Sequence, residues 1–337
     1  MQRHLHRAED FEATLLREFL AAGGDFVSGA ALAKLVGVSR VAVWAHLHRL
    51  QEAGFVFEAV HSRGYRLTAQ PSGVSAPLVR ALLAPRKTAA PAVLYLPSVD
   101  STNEEAERQL ATGRAAPFVV LAAAQTQGRG RFGRVWHSPA TGNLYLSFGF
   151  RPELPPERMH LFTLWMGLNL CELLAAFAGR APGLKWPNDL YFGDRKVGGM
   201  LTEARIDADQ TRDLVFGLGL NVNGAPAAWP RELARSATSL AQVKGEPVDL
   251  NRLAAAVIGR VHDAFTQFTA GPARDAVADL WHRYDLLAGR KITVVQGAQP
   301  HTGTARGIDD EGALLLRTDA GRTLRFRAGE VTIQKSG

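Results

Sequence analysis

The stretch QGRGRFGRVW, residues 127–136, places Arg129, Arg131 and Arg134 on a backbone that three glycines interrupt. Apolar segments with the composition of buried strands flank it, FVVLAAAQT before it and NLYLSFGF after it. Guanidinium groups suit carboxylates and phosphates, and glycines let a backbone approach an anion closely. The stretch therefore predicts an anion-binding loop on a folded α/β scaffold. On its composition alone, a site for a small-molecule phosphate and a plain basic surface loop remain equally open.

Composition limits the class of protein. Hydrophobic residues make up 46% of the 337 residues and charged residues 21%, which predicts two or three well-packed domains rather than disorder. The net charge of +7 favours phosphate-bearing partners, although weakly. A single cysteine, Cys171, excludes an internal disulfide and argues against a cysteine-rich zinc site. No apolar run is expected to reach the length of a membrane span, and the N-terminus is too polar for a signal peptide, so we expect a cytoplasmic protein with no membrane contact.

Residues 11–67 read as a small unit of their own. FEATLLREFLAAGG has helical spacing of its apolar residues, and two short helices follow it. Ser28 and Ser39 are the predicted N-caps of these helices, and Gly37 makes the turn between them. FVFEAVHSRGYRL then alternates like a strand, turns and resumes, as a β-hairpin does. Together these segments predict a winged helix-turn-helix.

The second short helix supplies the candidate DNA contacts. The apolar residues predicted to face inward from the two short helices are Leu32, Leu35, Val41, Val43, Leu47 and Leu50. The predicted exposed face of the second helix carries Ser39, Arg40, Trp44, His46 and His48. Docking of such a helix in the major groove is the common use of the motif. We therefore predict DNA contacts by Ser39, Arg40, Trp44, His46 and Arg63, and contacts with another protein are the alternative.

The rest of the chain divides into segments of different composition. TAQPSGVSAP, residues 68–77, has the Ser, Pro and Gly content of a linker. Mixed α/β segments follow, and short strands separated by Gly-containing turns predict a small SH3-like β-barrel at the end. The fold class is thus α/β (α+β) with several domains. The predicted domains are a winged helix-turn-helix at 1–67, the linker at 68–77, a mixed α/β domain at 78–288 and the barrel at 289–337.

Two further stretches of the α/β domain carry polar groups. DSTNEEA places Ser101, Thr102 and Asn103 at a helix start, where they can hold an amide-like ligand or simply cap the helix. KWPNDLYFGDRKVGG combines a rigid polar turn with Lys196 late in a predicted hairpin. The alternative for Lys196 is the solvated position that most lysines occupy. Neither stretch identifies a ligand by itself.

These stretches together resemble one family. DSTNEEA, AAQTQGRGRFGRVWHSP, GNLYLS, KWPNDLYFGDRKVGGML and GLGLNVN follow in the order and spacing of the biotin protein ligases. The N-terminal winged helix-turn-helix and the small C-terminal β domain are similar to the form of the family that is both biotin–[biotin carboxyl carrier protein] ligase and biotin operon repressor. The resemblance spans residues 11–333 and implies a central domain related to class II synthetase-like folds.

The resemblance also implies the site residues. The implied biotin site contains Ser101, Thr102, Asn103, Gln125, Arg129, Gly130, Arg131, Lys196, Gly217 and Gly219. The implied ATP site contains Arg134, Trp136, Lys185, Asn188 and Asn221. Arg129, Arg131, Lys196 and Asp189 are the implied catalytic residues. Phe132 stands where the family often has a basic residue, which we interpret as a tolerated change.

The implied function is a two-step ligation. Biotin and ATP are the substrates, Mg²⁺ is the implied cofactor, with no ligands assigned to it, and a lysine of the biotin carboxyl carrier protein is the acceptor. The implied further partners are operator DNA of biotin genes and a second copy of the chain when the adenylate is bound. The alternatives are a ligase without repressor activity, a biotin-sensing regulator without ligase activity, and a lipoate ligase. A lipoate ligase is not expected to carry the arginine-glycine loop or the winged helix.

Overall fold

A computed structural model describes residues 2–84, 90–140, 142–207, 209–225, 229–271 and 273–334. The chain splits into two compact units. The first contains Met1–Val93 and Asp249–Ala256, and the second contains Leu94–Val248 and Val257–Gly337. The substrate-binding segments predicted from the sequence all belong to the second unit.

The first unit contains the predicted winged helix-turn-helix. Its elements are α1 Gln2–Ala21, α2 Gly29–Val36, α3 Arg40–Glu52, β1 Val56–Val60, β2 Gly64–Ala69 and α4 Ala76–Leu83. The side chains of Ser28 and Ser39 accept hydrogen bonds from the backbone N–H groups of Ala31 and Ala42, which confirms both as N-caps. α2 and α3 are inclined at 96° to each other, and β1 pairs antiparallel with β2 to form the wing.

The inward face of α3 differs from the sequence prediction. Val43, Leu47 and Leu50 are buried as predicted, but Val41 is 76% exposed and Leu35 of α2 is 47% exposed. His46, predicted on the exposed face, is instead buried at 8% exposure and packs edge-on against Phe11. Residues three and four apart share a helix face, so His46 lies with Val43 and Leu50, whereas Val41 lies with Trp44 and His48. These three predictions of orientation were wrong.

A seven-stranded sheet forms the middle of the second unit. Its elements in chain order are β3 Ala92–Leu96, α5 Thr102–Ala111, β4 Phe118–Ala122, β5 Leu144–Phe150, α6 Phe162–Ala178, β6 Gly183–Lys185, β7 Asp189–Phe192, β8 Arg195–Asp207 and β9 Gln210–Leu220. The strand order is β3-β4-β5-β9-β8-β7-β6. After the sheet, the described residues form α7 Arg231–Ser236, α8 Leu240–Lys244, α9 Leu250–Ala270, which begins in the first unit, and α10 Ala273–Tyr284. Every residue of β4 and β5 is buried, so these strands form the rigid centre from which the loops project.

Helix α6 is the apolar core helix of this unit. The stretch Pro156–Ala178 is long and apolar enough to cross a membrane by length and composition, so the expectation that no run reaches that length was wrong. Within its most apolar window, 61% is buried inside the protein. Met166, Leu168 and Leu170 of α6 are fully buried. A helix that is apolar on all sides and surrounded by protein has the pattern of a core helix.

The C-terminal segment forms one open sheet. Its strands are β10 Lys291–Gln296, β11 Gln299–Ile308, β12 Leu314–Arg317, β13 Thr323–Phe326 and β14 Glu330–Ile333. They are antiparallel neighbours in the order β13-β12-β11-β10-β14. Closure of a barrel needs hydrogen bonds between the first and last strands. Within the described residues β13 and β14 are the two edges, so the predicted closed barrel is not confirmed.

Candidate active site

A cavity of about 1140 Å³ lies in the second unit, with the seven-stranded sheet and strand β14 contributing to its walls. Every residue that the sequence predicted to bind biotin or ATP or to act in catalysis lines this cavity, with Asn221 as the exception. The amide Nδ2 of Asn221 donates to the carbonyl of Thr238 at 3.2 Å, and the side chain is buried. The structure therefore gives Asn221 a structural hydrogen bond, and its contact with ATP stays a prediction.

Polar groups at the start of α5 form one end of the cavity. Ser101 occupies the N-cap position, yet its side chain makes no capping hydrogen bond. Thr102 donates from its backbone N–H and its hydroxyl to Oε1 of Gln125, at 2.8 and 3.0 Å. Gln125 in turn donates from Nε2 to the Ser138 hydroxyl at 2.9 Å. The simple cap considered from the sequence is not what this segment does, because its hydroxyl and amide groups are turned to other side chains.

Asn103 is fixed from two sides. Its Oδ1 lies 2.6 Å from the hydroxyl of Ser147 on β5, and its Nδ2 donates to Glu203 Oε2 on β8 at 2.7 Å. A Cβ on Gly217 would lie 2.1 Å from Asn103 Oδ1, so only glycine leaves room for this side chain. Sequence reasoning missed Ser147 and Glu203. Ser147 could have been recognised as a serine within an otherwise apolar strand, and nothing in the sequence singled out Glu203.

The arginine-glycine loop is folded back on itself. The backbone N–H of Trp136 donates to Gly128 O at 2.8 Å, and that of Gly130 donates to Arg134 O at 2.7 Å. A short 3₁₀ turn, Arg131–Gly133, forms its tip, where Phe132 has a positive φ of 56°. The loop thus has a defined conformation that holds three guanidinium groups at the cavity.

Each loop arginine has a different partner. Arg129 contacts two carboxylates, Arg131 donates to an amide oxygen, and Arg134 contacts a carboxylate of β14. The partner atoms and distances are Glu104 Oε1 at 2.8 Å and Glu203 Oε1 at 3.3 Å for Arg129, Asn188 Oδ1 at 3.3 Å for Arg131, and Glu330 Oε2 at 2.5 Å for Arg134. Burial lowers the pKa of Arg131 from its usual range, while the nearby carboxylate of Asp189 opposes that shift.

Lysines and a tryptophan complete the cationic end. Lys196 Nζ lies 2.7 Å from Asp189 Oδ1 and 5.2 Å from the centre of the Trp136 ring. Burial lowers the pKa of Lys185, and the negative charge of Asp189 partly offsets this. Nε1 of Trp136 is buried and has no hydrogen-bond partner among the described residues. A Cβ on Gly219 would lie 2.4 Å from that nitrogen, so the glycine makes room for the indole.

Acidic and histidine side chains do not gather into a metal centre here. Within the described part of the chain, no group of three or more His, Cys, Asp or Glu side chains is arranged to hold a metal ion. Mg²⁺ in nucleotide sites is usually held by one or two carboxylates together with phosphates and water. The residues present therefore fit an ion that arrives with its nucleotide rather than one held in a protein cage.

Comparison with known proteins identifies the family. Residues 95–221 match the model of the Biotin/lipoate A/B protein ligase family, residues 12–66 match an HTH domain, and residues 288–333 match the Biotin protein ligase C terminal domain. The bifunctional ligase/repressor BirA of Bacillus spizizenii is 33% identical over 312 residues, which cover 91% of this chain and 94% of the relative. The chain belongs to the biotin protein ligase family.

Further relatives agree with this membership. The bifunctional ligase/repressor BirA of Escherichia coli is 31% identical over 320 residues, covering 94% of this biotin protein ligase and 96% of that protein. A biotin protein ligase of Aquifex aeolicus, solved in complex with biotin and ATP, superposes with a TM-score of 0.62 at 28% identity, over 73% of this chain and 99% of that one. This biotin protein ligase thus combines the ligase fold with a helix-turn-helix domain, as the bifunctional ligase/repressors do.

Proposed function

We propose that this protein is an ATP-dependent biotin protein ligase that makes biotinyl-5′-AMP and transfers biotin to a lysine of the biotin carboxyl carrier protein. We propose further that it acts in the cytoplasm and represses biotin genes. The observation that carries the ligase proposal is one cavity lined both by a group of neutral hydroxyl and amide side chains, here called its neutral end, and by a group of arginine and lysine side chains, its cationic end. Such a cavity suits a ligand with a urea-like ring and a carboxylate, next to a nucleotide.

The neutral end is assigned to the ureido ring of biotin. Thr102, Asn103 and Gln125 present both donors and acceptors there, and they are held by partly buried hydrogen bonds to other protein groups. Buried polar groups that are fixed in advance lose little freedom when a ligand arrives. The ring would therefore be recognised by a preformed set of partners, which supports biotin over lipoate, because the dithiolane ring of lipoate has no N–H or C=O groups to engage them.

The cationic end is assigned to the reacting groups. An oxygen of the biotin carboxylate attacks the α-phosphorus of ATP, the bond to the β-phosphate oxygen breaks, and pyrophosphate leaves. The carboxylate is already a nucleophile, so the protein has to bring two anions together and stabilise the charge that develops. Arg131, Lys185 and Lys196 are placed around the cavity for that task. The magnesium implied by the family would enter bound to the phosphates of ATP.

The second step transfers the acyl group. The amine of the acceptor lysine attacks the carbonyl carbon of the mixed anhydride, the bond to the phosphate oxygen breaks, and AMP leaves. Asp189 Oδ1 lies 2.7 Å from Lys196 Nζ, and we assign Asp189 the role of holding that lysine before substrate binds. Afterwards it orients the ammonium of the acceptor lysine and accepts its proton, so that the neutral amine attacks. The arginine-glycine loop covers the adenylate, which keeps water from hydrolysing it.

The proposed repressor activity belongs to the first unit. Arg40, Trp44 and Arg63 are exposed on α3 and the wing, as DNA contacts must be, while Ser39 is occupied as the N-cap. We do not propose His46 as a DNA contact, because it is buried beside Glu12 and Arg49. We propose that a homodimer formed with bound adenylate reads a two-fold operator, since helix-turn-helix dimers place two recognition helices one helical turn of DNA apart.

Two assays test the proposal. Purified protein with ATP, magnesium, biotin and a carrier domain should biotinylate that domain, and a thermal-shift comparison should show stabilisation by biotin and none by lipoate. A gel shift on the promoters of biotin genes, with and without biotin and ATP, should show retardation only when the adenylate can form. Ligation without any DNA retardation would indicate a ligase without repressor activity. DNA binding without ligation would indicate a biotin-sensing regulator.

A further inference from the structure

Glu203 lies behind the proposed biotin site and has no assigned role. It belongs to β8, two residues beyond Leu201, which lines the cavity. Residues two apart on a strand face the same side, so Glu203 continues the cavity face of β8 beyond the cavity itself. Its side chain is about one-third exposed, and it is not among the residues that line the cavity. Any effect on the ligand has to pass through the side chains that it contacts.

Those contacts belong to two different segments of the site. Oε2 of Glu203 accepts a hydrogen bond from Asn103 Nδ2 at 2.7 Å. Oε1 of the same carboxylate lies 3.3 Å from Arg129 Nη2. Asn103 lies in the first turn of α5 and Arg129 belongs to the arginine-glycine loop, so one carboxylate joins the ring-binding helix to the anion-binding loop.

The contact decides which way the Asn103 amide points. With Nδ2 given to Glu203 and Oδ1 facing the Ser147 hydroxyl at 2.6 Å, a flipped amide would place its oxygen against the carboxylate and lose both interactions. A hydrogen bond to a charged acceptor is stronger than one between neutral groups. Nδ2 also donates to the carbonyl of Leu201, at the longer distance of 3.4 Å, so the charged Glu203 is the strongest of three restraints on this amide.

Arg129 contacts more than one acidic side chain, Glu203 included. Glu104 also contacts Arg129, at 2.8 Å, and Glu107 stands nearby on α5. Burial, followed by the negative charges of Glu203 and Glu104, raises the pKa of Glu107. Arg129 therefore contacts both Glu104 and Glu203 in a locally acidic corner, and it holds Glu203 in place beside Asn103.

We propose that Glu203 is a positioning residue that fixes the Asn103 amide for the ring of biotin and ties it to Arg129 of the loop. The inference rests on the proposed function, because it takes the ligand to be biotin. Glu203 touches neither the ligand nor the reacting atoms. Its effect is on binding of the ring, and the carboxylate end of biotin is affected only through Arg129.

Two ligands and three variants separate these effects. Binding of biotin and of biotin methyl ester, which lacks the carboxylate charge, is measured by calorimetry without ATP. Glu203→Ala removes both contacts and is expected to weaken the binding of both compounds by about tenfold, which is the usual cost of a lost hydrogen bond to a charged group. Glu203→Gln keeps an amide oxygen for Asn103 and should bind the methyl ester within about twofold of wild type. Glu104→Gln is the matched control, since it removes a carboxylate from Arg129 without touching Asn103, and it should also leave methyl ester binding unchanged.

A second measurement guards against a variant that is merely misfolded. In an Asn103→Ala background, Glu203→Ala should add nothing to the loss of methyl ester affinity, because residues that act through one another are not additive. Wild-type affinity of Glu203→Ala for the methyl ester, equal losses in the Ala and Gln variants, or full additivity with Asn103→Ala would each overturn the inference. If wild-type protein bound neither compound, the proposed function itself would be overturned.

Discussion

Lys196 Nζ and Asp189 Oδ1 are 2.7 Å apart across the β7–β8 pair, with both side chains partly open to the cavity. The bulged register between these strands brings the two residues together from positions seven apart in the chain. A cation held in this way is directed into the cavity before any phosphate arrives. The pair is the part of the site where the sequence motif and the geometry agree most closely.

Asp189→Asn tests that pair. The amide keeps the shape of the side chain but removes the charge that directs Lys196, so we expect kcat for carrier biotinylation to fall by about tenfold to a hundredfold. Binding of biotin alone should change little. Asp194→Asn, a nearby cavity residue paired with Arg290, is the control. Normal ligation kinetics in Asp189→Asn would remove Asp189 from the mechanism.

Arg131→Gly tests loop closure. The guanidinium contacts Asn188 at 3.3 Å and is more enclosed than that of Arg134. Its loss should let biotinyl-5′-AMP escape, and the free adenylate should label lysines of bystander proteins such as serum albumin. The Arg134→Gly variant, altered at a more exposed position of the same loop, should weaken ATP binding without this release. Retention of the adenylate as tightly as in wild type would show that Arg131 does not close the loop.

Gly217→Ala and Gly219→Ala distinguish the two ends of the cavity. A Cβ at Gly217 would lie 2.1 Å from Asn103 Oδ1, and one at Gly219 would lie 2.4 Å from Trp136 Nε1. The first change should weaken binding of biotin. The second should weaken binding of ATP, because Gly219, which the resemblance placed in the biotin site, makes room for Trp136 of the implied ATP site. Each loss should be about a hundredfold, because small displacements of positioning groups are costly. Separate titrations with biotin and with ATP measure the two effects. Equal losses of both ligands in both variants would contradict the assignment of the ends.

The lowered pKa of Lys185 predicts that ATP binding depends on pH. Burial lowers its pKa, so the side chain loses its proton at a lower pH than an ordinary lysine does. The charged form is the one that attracts phosphate, so KM for ATP should rise with pH as it passes through the lowered pKa, and should be constant below it. Lys185→Arg, which stays protonated at alkaline pH, should move that rise to higher pH. An unchanged profile in this variant would assign the rise to another group.

Arg40 and Trp44 test the recognition helix. Arg40→Ala should reduce the slope of log affinity against log salt by about 0.9, as expected for the loss of one phosphate contact. Trp44 is 57% exposed, and Trp44→Ala should change the preference among operator sequences by about tenfold per contacted base pair. His46→Gln, a change at a buried position, should affect stability rather than salt dependence. Biotin ligation should be unaltered in the Arg40 and Trp44 variants, and loss of ligation in either would contradict a separate DNA-binding role.

Local signals were sufficient for part of this structure. The N-caps Ser28 and Ser39 were predictable, because a capping serine and the helix that it starts lie next to each other in the sequence. The family motifs predicted a large part of the cavity lining, but not the residues that the C-terminal segment contributes, such as Arg290 and Glu330. The partners of the loop arginines were not predictable, since Glu203 lies 74 positions from Arg129 and Glu330 lies 196 positions from Arg134.

The orientation of α3 and the shape of the C-terminal sheet needed the whole fold. α3 has apolar residues on more than one side, so its sequence does not say whether Val41 or His46 faces the core. Packing against α1 decides this, because Phe11 and Glu12 contact His46. Likewise, five short strands in sequence are compatible with a barrel or an open sheet, and only the pairing of the edges distinguishes them.

Three cations of the cavity already contact protein carboxylates, so substrate binding is an exchange of counter-ions. Arg129, Arg134 and Lys196 each contact a carboxylate before any ligand is present. A lone inorganic anion would have to displace these carboxylates and would recover little in return, because one ion pair replaces another. A ligand that also fills the neutral end with its ring brings additional binding energy to the exchange. The cavity is thereby biased against the abundant free phosphates of a cell, although it carries several positive charges.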